Sequence, residues 1–207
     1  MSDKEKLIEI FNSSIKGRKP VLDGMNERHD GRKGHWLENQ FSIHHNADNS
    51  ADIFGYELKN ETTSKTTFGD WSANEYIFND RKYFSVFNAS SSIERRDLFL
   101  SIFGKANETK GGRYSWSGEP CPKIAGYNKF GQRLNIVENN DIVVKYCYSE
   151  DQRKNKSDIV PPTLQQENLV LARWYGNSVP DGKKGKCLRS KLEDKFNNKG
   201  WFTCKTD

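Results

Sequence analysis

The sequence has no run of eighteen apolar residues, so nothing in it reads as a membrane-spanning helix. Its opening residues, Met1-Ser2-Asp3-Lys4-Glu5, lack the basic-then-apolar order of a secretory signal; the expected location is cytoplasmic, with no membrane partner. Cysteine is scarce. Cys121, Cys147, Cys187 and Cys204 lie far apart with no Cys-x-x-Cys pair. This argues against a zinc knuckle, gives no reason for a disulfide framework, and leaves buried free thiols as the expectation. Histidine stops at position 45, and there is no internal repeat or long low-complexity tract.

What is present suffices for one folded unit. In 207 residues, 34% are hydrophobic and 12% aromatic, enough for a core in a single domain or in one domain split into two lobes. The 29% of charged residues and a mean hydropathy of -0.91 give that core a very polar surface. The net charge of +5 is unevenly placed. Residues 1–110 carry 16 Lys+Arg against 17 Asp+Glu, whereas residues 111–207 carry 17 against 11. An acidic, metal-holding half beside a half that grips a polyanion fits this distribution.

Local patterns outline the elements. Ser2-x-x-Glu5 followed by Leu7, Ile8, Phe11 and Ile15 predicts an N-capped amphipathic helix over 3–16, stopped by Gly17. A Gly-, Asp- and Arg-containing loop at 23–33 leads to a second helix from near Gly34, with Leu37 and Phe41 on one face. Residues 51–59 read as strand with a turn or bulge at Gly55, and the threonine-rich stretch Thr62 to Trp71 as a neighbouring strand. Residues 95–103 read as helix; 110–113 and 118–122 read as loop. Strands are expected at 133–137 and 142–148 around an Asn139-Asn140-Asp141 turn, and again at 169–175, with a short helix at 191–196.

The pattern with chemical content is Asp52-x4-Glu57-x-Lys59. Residues two apart on a strand share a side, so Glu57 and Lys59 face one cleft while Leu58 faces the core. Asp52, across the Gly55 turn, comes close enough to share a cation with Glu57. Two hard oxygen donors suit Mg²⁺, which retains waters and accepts phosphate oxygens as further ligands. An ammonium group beside them can orient a water and neutralise charge developing on a phosphate. On spacing alone, the same string also fits a solvated strand edge.

The segment Asp30-Gly31-Arg32-Lys33-Gly34-His35-Trp36-Leu37-Glu38-Asn39-Gln40-Phe41, followed by Asp52 and Glu57-Leu58-Lys59, resembles the catalytic region of the MvaI/BcnI group of restriction endonucleases. The same order of residues is found in the MutH mismatch-repair nickase. The resemblance is specific over about residues 30–70. It implies an α/β fold with a PD-(D/E)XK restriction-endonuclease-like core, a central mixed sheet flanked by helices, and two lobes around a DNA cleft. The lobes would be a catalytic one at 1–110 and a DNA-recognition one at 111–207. It further implies Glu38, Asp52, Glu57 and Lys59 as catalytic residues, Asp52 and Glu57 as ligands of Mg²⁺, and Glu38 as a helix-borne carboxylate near the attacking water. Without the resemblance, Glu38 reads as a surface residue of an amphipathic helix. Arg32 and Lys33 stand where the family places a basic residue before that helix.

The expected substrate is double-stranded DNA, cut to leave 5′-phosphate ends, by a monomer or alternatively a dimer. For recognition, Lys183-Lys184-Gly185-Lys186-Cys187-Leu188-Arg189 resembles a shortened form of the family's C-terminal segment. It departs from the pattern in lacking a His-Asp pair before Leu188-Arg189. Lys183, Lys184 and Lys186 suit phosphate contacts and Arg189 a guanine contact, against the plain alternative of a solvated charge run. Arg113 and Arg133, with Lys129, are further basic candidates among Tyr114, Trp116 and Tyr127. Three functions stay open: a type II restriction enzyme, a MutH-like strand-nicking enzyme, and a non-catalytic DNA-binding module. A histidine-metal nuclease built on His44-His45-Asn46 fits poorly, because no histidine follows to complete the set.

Overall fold

The computed structural model describes residues 1–24, 31–43, 50–61 and 71–206. The helices are α1 Asp3–Ser14, α2 Arg32–Gln40, α3 Ser92–Phe103, α4 Lys156–Ile159 and α5 Leu188–Phe196. The strands are β1 Glu57–Asn60, β2 Glu75–Tyr76, β3 Lys105–Asn107, β4 Arg113–Ser115, β5 Phe130–Ile136, β6 Ile142–Asp151, β7 Leu169–Trp174 and β8 Trp201–Cys204. The chain divides into two compact units, unit 1 from Met1–Trp71 with Ser190–Asp207, and unit 2 from Ser72–Arg189. Position 110 therefore lies inside unit 2, and the C-terminal residues return to the N-terminal unit. The charge asymmetry follows the units: unit 1 carries 14 Lys+Arg against 15 Asp+Glu, unit 2 carries 19 against 13.

Unit 1 is a small helical layer on a two-stranded sheet. The capping box forms as predicted: the Glu5 N–H donates to Ser2 Oγ at 3.3 Å and the Ser2 N–H to Glu5 Oε2 at 2.6 Å. Leu7 and Ile15 of this helical segment are fully buried, and α2 adds Trp36 and Leu37 to the same core, with Phe41 at its end. Against them lie Leu58 of β1 and Cys204 of β8. These strands run parallel, Leu58 opposite Phe202 and Lys59 opposite Thr203. A parallel pair cannot close through a tight turn and needs a long crossover. Here the crossover contains the whole of unit 2. The predicted strand at Thr62 to Trp71 falls, but for Trp71, outside the described residues, as do Asp30, His29, His44 and His45.

Unit 2 is built on a four-stranded antiparallel sheet of order β2-β7-β6-β5, with a separate β3-β4 hairpin. The one central mixed sheet expected from the family likeness is thus replaced, among the described residues, by three sheets of which only β1-β8 is parallel. The inner face of the four-stranded sheet, including Val144, Tyr146, Leu169 and Ala172, packs with Phe99 and Phe103 of α3. Phe99 meets Phe103 at 5.2 Å and Trp116 edge-on at 5.0 Å between ring centroids. Gln132 is fully buried but not orphaned: it accepts from the Trp116 indole N–H and donates to the Phe103 carbonyl at 2.6 Å. The β5-β6 turn lies where predicted, with Asn139 and Asn140 at φ 61° and 56°. Gly176 packs so tightly on it that a Cβ would collide with the Asn139 and Asn140 carbonyls.

The cysteine reading needs one correction. Cys147, Cys187 and Cys204 are buried, but Cys121 is exposed, because its Gly-Glu-Pro-Cys-Pro segment is surface loop. Burial pushes the Cys204 thiol up to about 11, which leaves almost none of the reactive thiolate at neutral pH. A thiol-specific reagent is expected to modify one cysteine of the native protein quickly and the other three only on unfolding. Fast modification of more than one would contradict the burial of Cys147, Cys187 and Cys204.

Candidate active site

The D-x4-E spacing has a structural cause. Ile53 and Tyr56 form an antiparallel bridge, with N–H···O distances of 3.1 and 2.8 Å, around Phe54 and Gly55. Both central residues have positive φ, 49° and 84°, as a type I′ hairpin turn demands. Glycine accommodates this freely; Phe54 does so under strain. Continued one step outward, that register sets Asp52 beside Glu57. The Leu58 N–H closes the arrangement by donating to Asp52 Oδ2 at 2.7 Å.

Glu57 is 4% exposed, deeper than a cleft-facing carboxylate was expected to lie. Lys59 Nζ stands 3.6 Å from its Oε1. The same oxygen accepts a hydrogen bond from Lys195 of α5, itself only 6% exposed. Glu57 Oε2 is buried and has no hydrogen-bond partner. Burial raises the Asp52 carboxyl above the usual carboxylate range. The Leu58 N–H and Lys59 oppose that shift, while the charges of Glu57 and Glu38 reinforce it. The four residues singled out in the sequence are thereby electrostatic neighbours, and Glu38 is half-buried on α2. Lys195 left no signal in the sequence, since it lies 138 residues from Glu57 and on a helix whose pattern is otherwise ordinary.

These residues fit a divalent cation in kind. A buried carboxylate oxygen without a partner is costly, and beside a second carboxylate of raised pKa it is a ready ligand for a hard cation. Among the described residues, no group of three or more His, Cys, Asp or Glu side chains is gathered for a metal ion. A cation here would take its remaining ligands from water and substrate.

The basic candidates are dispersed over both units. Arg32 and Lys33 open α2, half-buried and exposed respectively. Arg113 is exposed on the β3-β4 hairpin. Arg133, on β5, stacks under Tyr127 with 6.0 Å from guanidinium carbon to ring centroid. Lys183 and Lys184 line a concavity of about 750 Å³ in unit 2, where Lys183 Nζ pairs with Glu75 at 2.5 Å. Lys186 is exposed; its carbonyl accepts from Asn74 at 3.0 Å. Arg189 is exposed at the start of α5, and that helix begins three residues before the predicted 191.

The profile of the LlaMI restriction endonuclease family matches residues 15–207. The type II restriction enzyme ScrFI of Lactococcus lactis subsp. cremoris is 59% identical over 207 residues, covering 99% of this chain and 76% of that enzyme. No solved structure matches the chain. Among the described residues no helix is long and apolar enough to cross a membrane.

Proposed function

Since the chain belongs to the LlaMI restriction endonuclease family and is a type II restriction endonuclease, we propose that it cuts duplex DNA with Asp52, Glu57, Lys59 and Glu38 of unit 1, in a core of the PD-(D/E)XK kind. The family likeness to the MvaI/BcnI group belongs to the same proposal. The observation that carries it is the buried, partnerless Oε2 of Glu57 beside Asp52. Asp52 and Glu57 would hold Mg²⁺, which when bound supplies Lewis acidity and neutralises charge at the scissile phosphate.

The remaining roles fall to side chains around that pair. Lys59, less buried than Glu57, presents its ammonium to the phosphate and orients the attacking water. Glu38, on a separate rigid element, accepts the proton that the water gives up. Lys195 neutralises Glu57 from the buried side, committing Oε1 and leaving Oε2 to a cation. Attack of water at phosphorus with loss of the 3′-oxygen yields 5′-phosphate and 3′-hydroxyl ends, and one monomer is competent to cut each strand in turn.

Plasmid digestion with Mg²⁺, followed by sequencing of the ends, tests this reading. Discrete fragments with 5′-phosphate ends that vanish on addition of EDTA are expected. Plasmid left intact across metals and sequences would overturn it.

A further inference from the structure

Side chains on the face of the unit 2 sheet opposite α3 lie in two cross-strand rows of opposite character. In one row Asn135, Val143, Arg173 and Glu75 are in register across β5, β6, β7 and β2. Its single cation is satisfied: Arg173 pairs with Asp141 at 2.8 Å and Glu75 at 3.8 Å. In the next row, Arg133 of β5 stands directly opposite Lys145 of β6, and a parallel bridge sets Lys123 beside Arg133 on the other flank. Three cations thus occupy adjacent positions, with strands roughly 4.8 Å apart. No carboxylate among the described residues forms an ion pair with any of them.

Like charges directly opposite each other in a sheet are destabilising. Lysines on an edge strand are common as protection against edge pairing, and that would account for Lys123 beside β5. It does not account for Lys145, which is on an interior strand. Nor does it explain two further features. Arg133 Nε is buried without a hydrogen-bond partner, and so is Asn135 Oδ1, two residues along the same face. The Arg133 guanidinium thus finds no counter-charge among the described residues, and three unneutralised cations in adjacent positions describe a surface suited to an anionic partner.

We propose that this face, Lys123, Arg133 and Lys145 with Asn135, is a duplex-contacting surface of unit 2. The inference rests on the nuclease reading above and goes beyond it in locating the contact. Lys123 and Lys145 meet backbone phosphates, and Arg133 adds its positive charge between them. Phosphate contacts of this kind are independent of sequence and salt-dependent.

The test uses the full-length protein and a fluorescent duplex in EDTA, so that no cutting occurs. Binding is measured by anisotropy over a series of KCl concentrations. The double variant K123Q/K145Q is expected to reduce the slope of log affinity against log salt by about 2, at roughly 0.9 for each phosphate no longer neutralised. K123R/K145R is expected to restore it, while K82Q/K154Q, which removes the same charge elsewhere on unit 2, leaves it unchanged. A K123Q/K145Q protein with native circular dichroism and an unaltered slope overturns the proposal, as does an equal loss in K82Q/K154Q. If the wild type itself neither binds nor cuts DNA, the nuclease reading fails; if it does both and K123Q/K145Q matches it, only this surface fails.

Discussion

Replacing Glu57 with glutamine is expected to slow DNA cleavage about a thousandfold, which is about 4 kcal/mol of lost transition-state stabilisation at about 1.4 kcal/mol per tenfold. Glutamine keeps the volume and one oxygen but loses the charge that would hold a cation and leaves the buried Lys195 ammonium without its counter-ion, so native folding is checked by circular dichroism first. Affinity for duplex DNA in EDTA is expected to hold or rise, because a negative charge facing phosphate has been removed. Asp52→Asn should behave alike, since the turn at Phe54 and Gly55 makes the two carboxylates neighbours. Single-turnover cleavage and anisotropy on the same preparations separate the two effects. Cleavage by Glu57→Gln within tenfold of wild type would place the chemistry elsewhere.

Lys195→Met should act on the protein before any substrate arrives. The ammonium and the Glu57 carboxylate are both buried, and removing one partner of a buried pair leaves the other charge uncompensated, at a cost of about 3–5 kcal/mol. Lys59, 3.6 Å away and partly solvated, offsets some of this, so the lower end of that range is expected in metal-free protein. A divalent cation at Asp52 and Glu57 would take over the lost compensation. Guanidinium unfolding of Lys195→Met should therefore show a large deficit in EDTA that shrinks in Ca²⁺, and calorimetry should show tighter Ca²⁺ binding than wild type. A deficit of the same size with and without Ca²⁺ would make Lys195 a packing residue alone.

The sequence disclosed those parts of the molecule whose causes are local. The Ser2-Glu5 capping box, the asparagine turn at 139–140 and the hairpin at Phe54 and Gly55 each depend on a few adjacent residues, and each is found where the pattern put it. The neighbourhood of Glu38, Asp52, Glu57 and Lys59 was legible for the same reason, since strand alternation and one tight turn bring three of the four together. What escaped were relations across the chain. Nothing in Trp201-Phe202-Thr203-Cys204 marks it as the partner of Glu57-Leu58-Lys59-Asn60, because the pairing is decided by burial against Leu37 and Phe41 rather than by either strand's own residues. Lys195 and the row through Lys145 escaped likewise, being meaningful only beside residues far away in sequence.

The expected division at residue 110 counts charge along the sequence, whereas the compact units count it by packing. By unit, the excess positive charge belongs to Ser72–Arg189. The final residues, basic in their own count, complete the acidic unit instead. Composition reports how much charge a stretch carries; long-range packing decides which body carries it.

Because β1 takes its neighbour from Trp201–Cys204 and Glu57 its buried counter-ion from Lys195, the order of synthesis matters. A polypeptide whose translation has reached Arg189 already has every residue of unit 2, while the strand bearing Glu57 and Lys59 still lacks its parallel companion. A nascent chain that has emerged only as far as Arg189 can fold unit 2 first, and β1 gains its neighbour and Glu57 its counter-ion only once residues 195–204 are free.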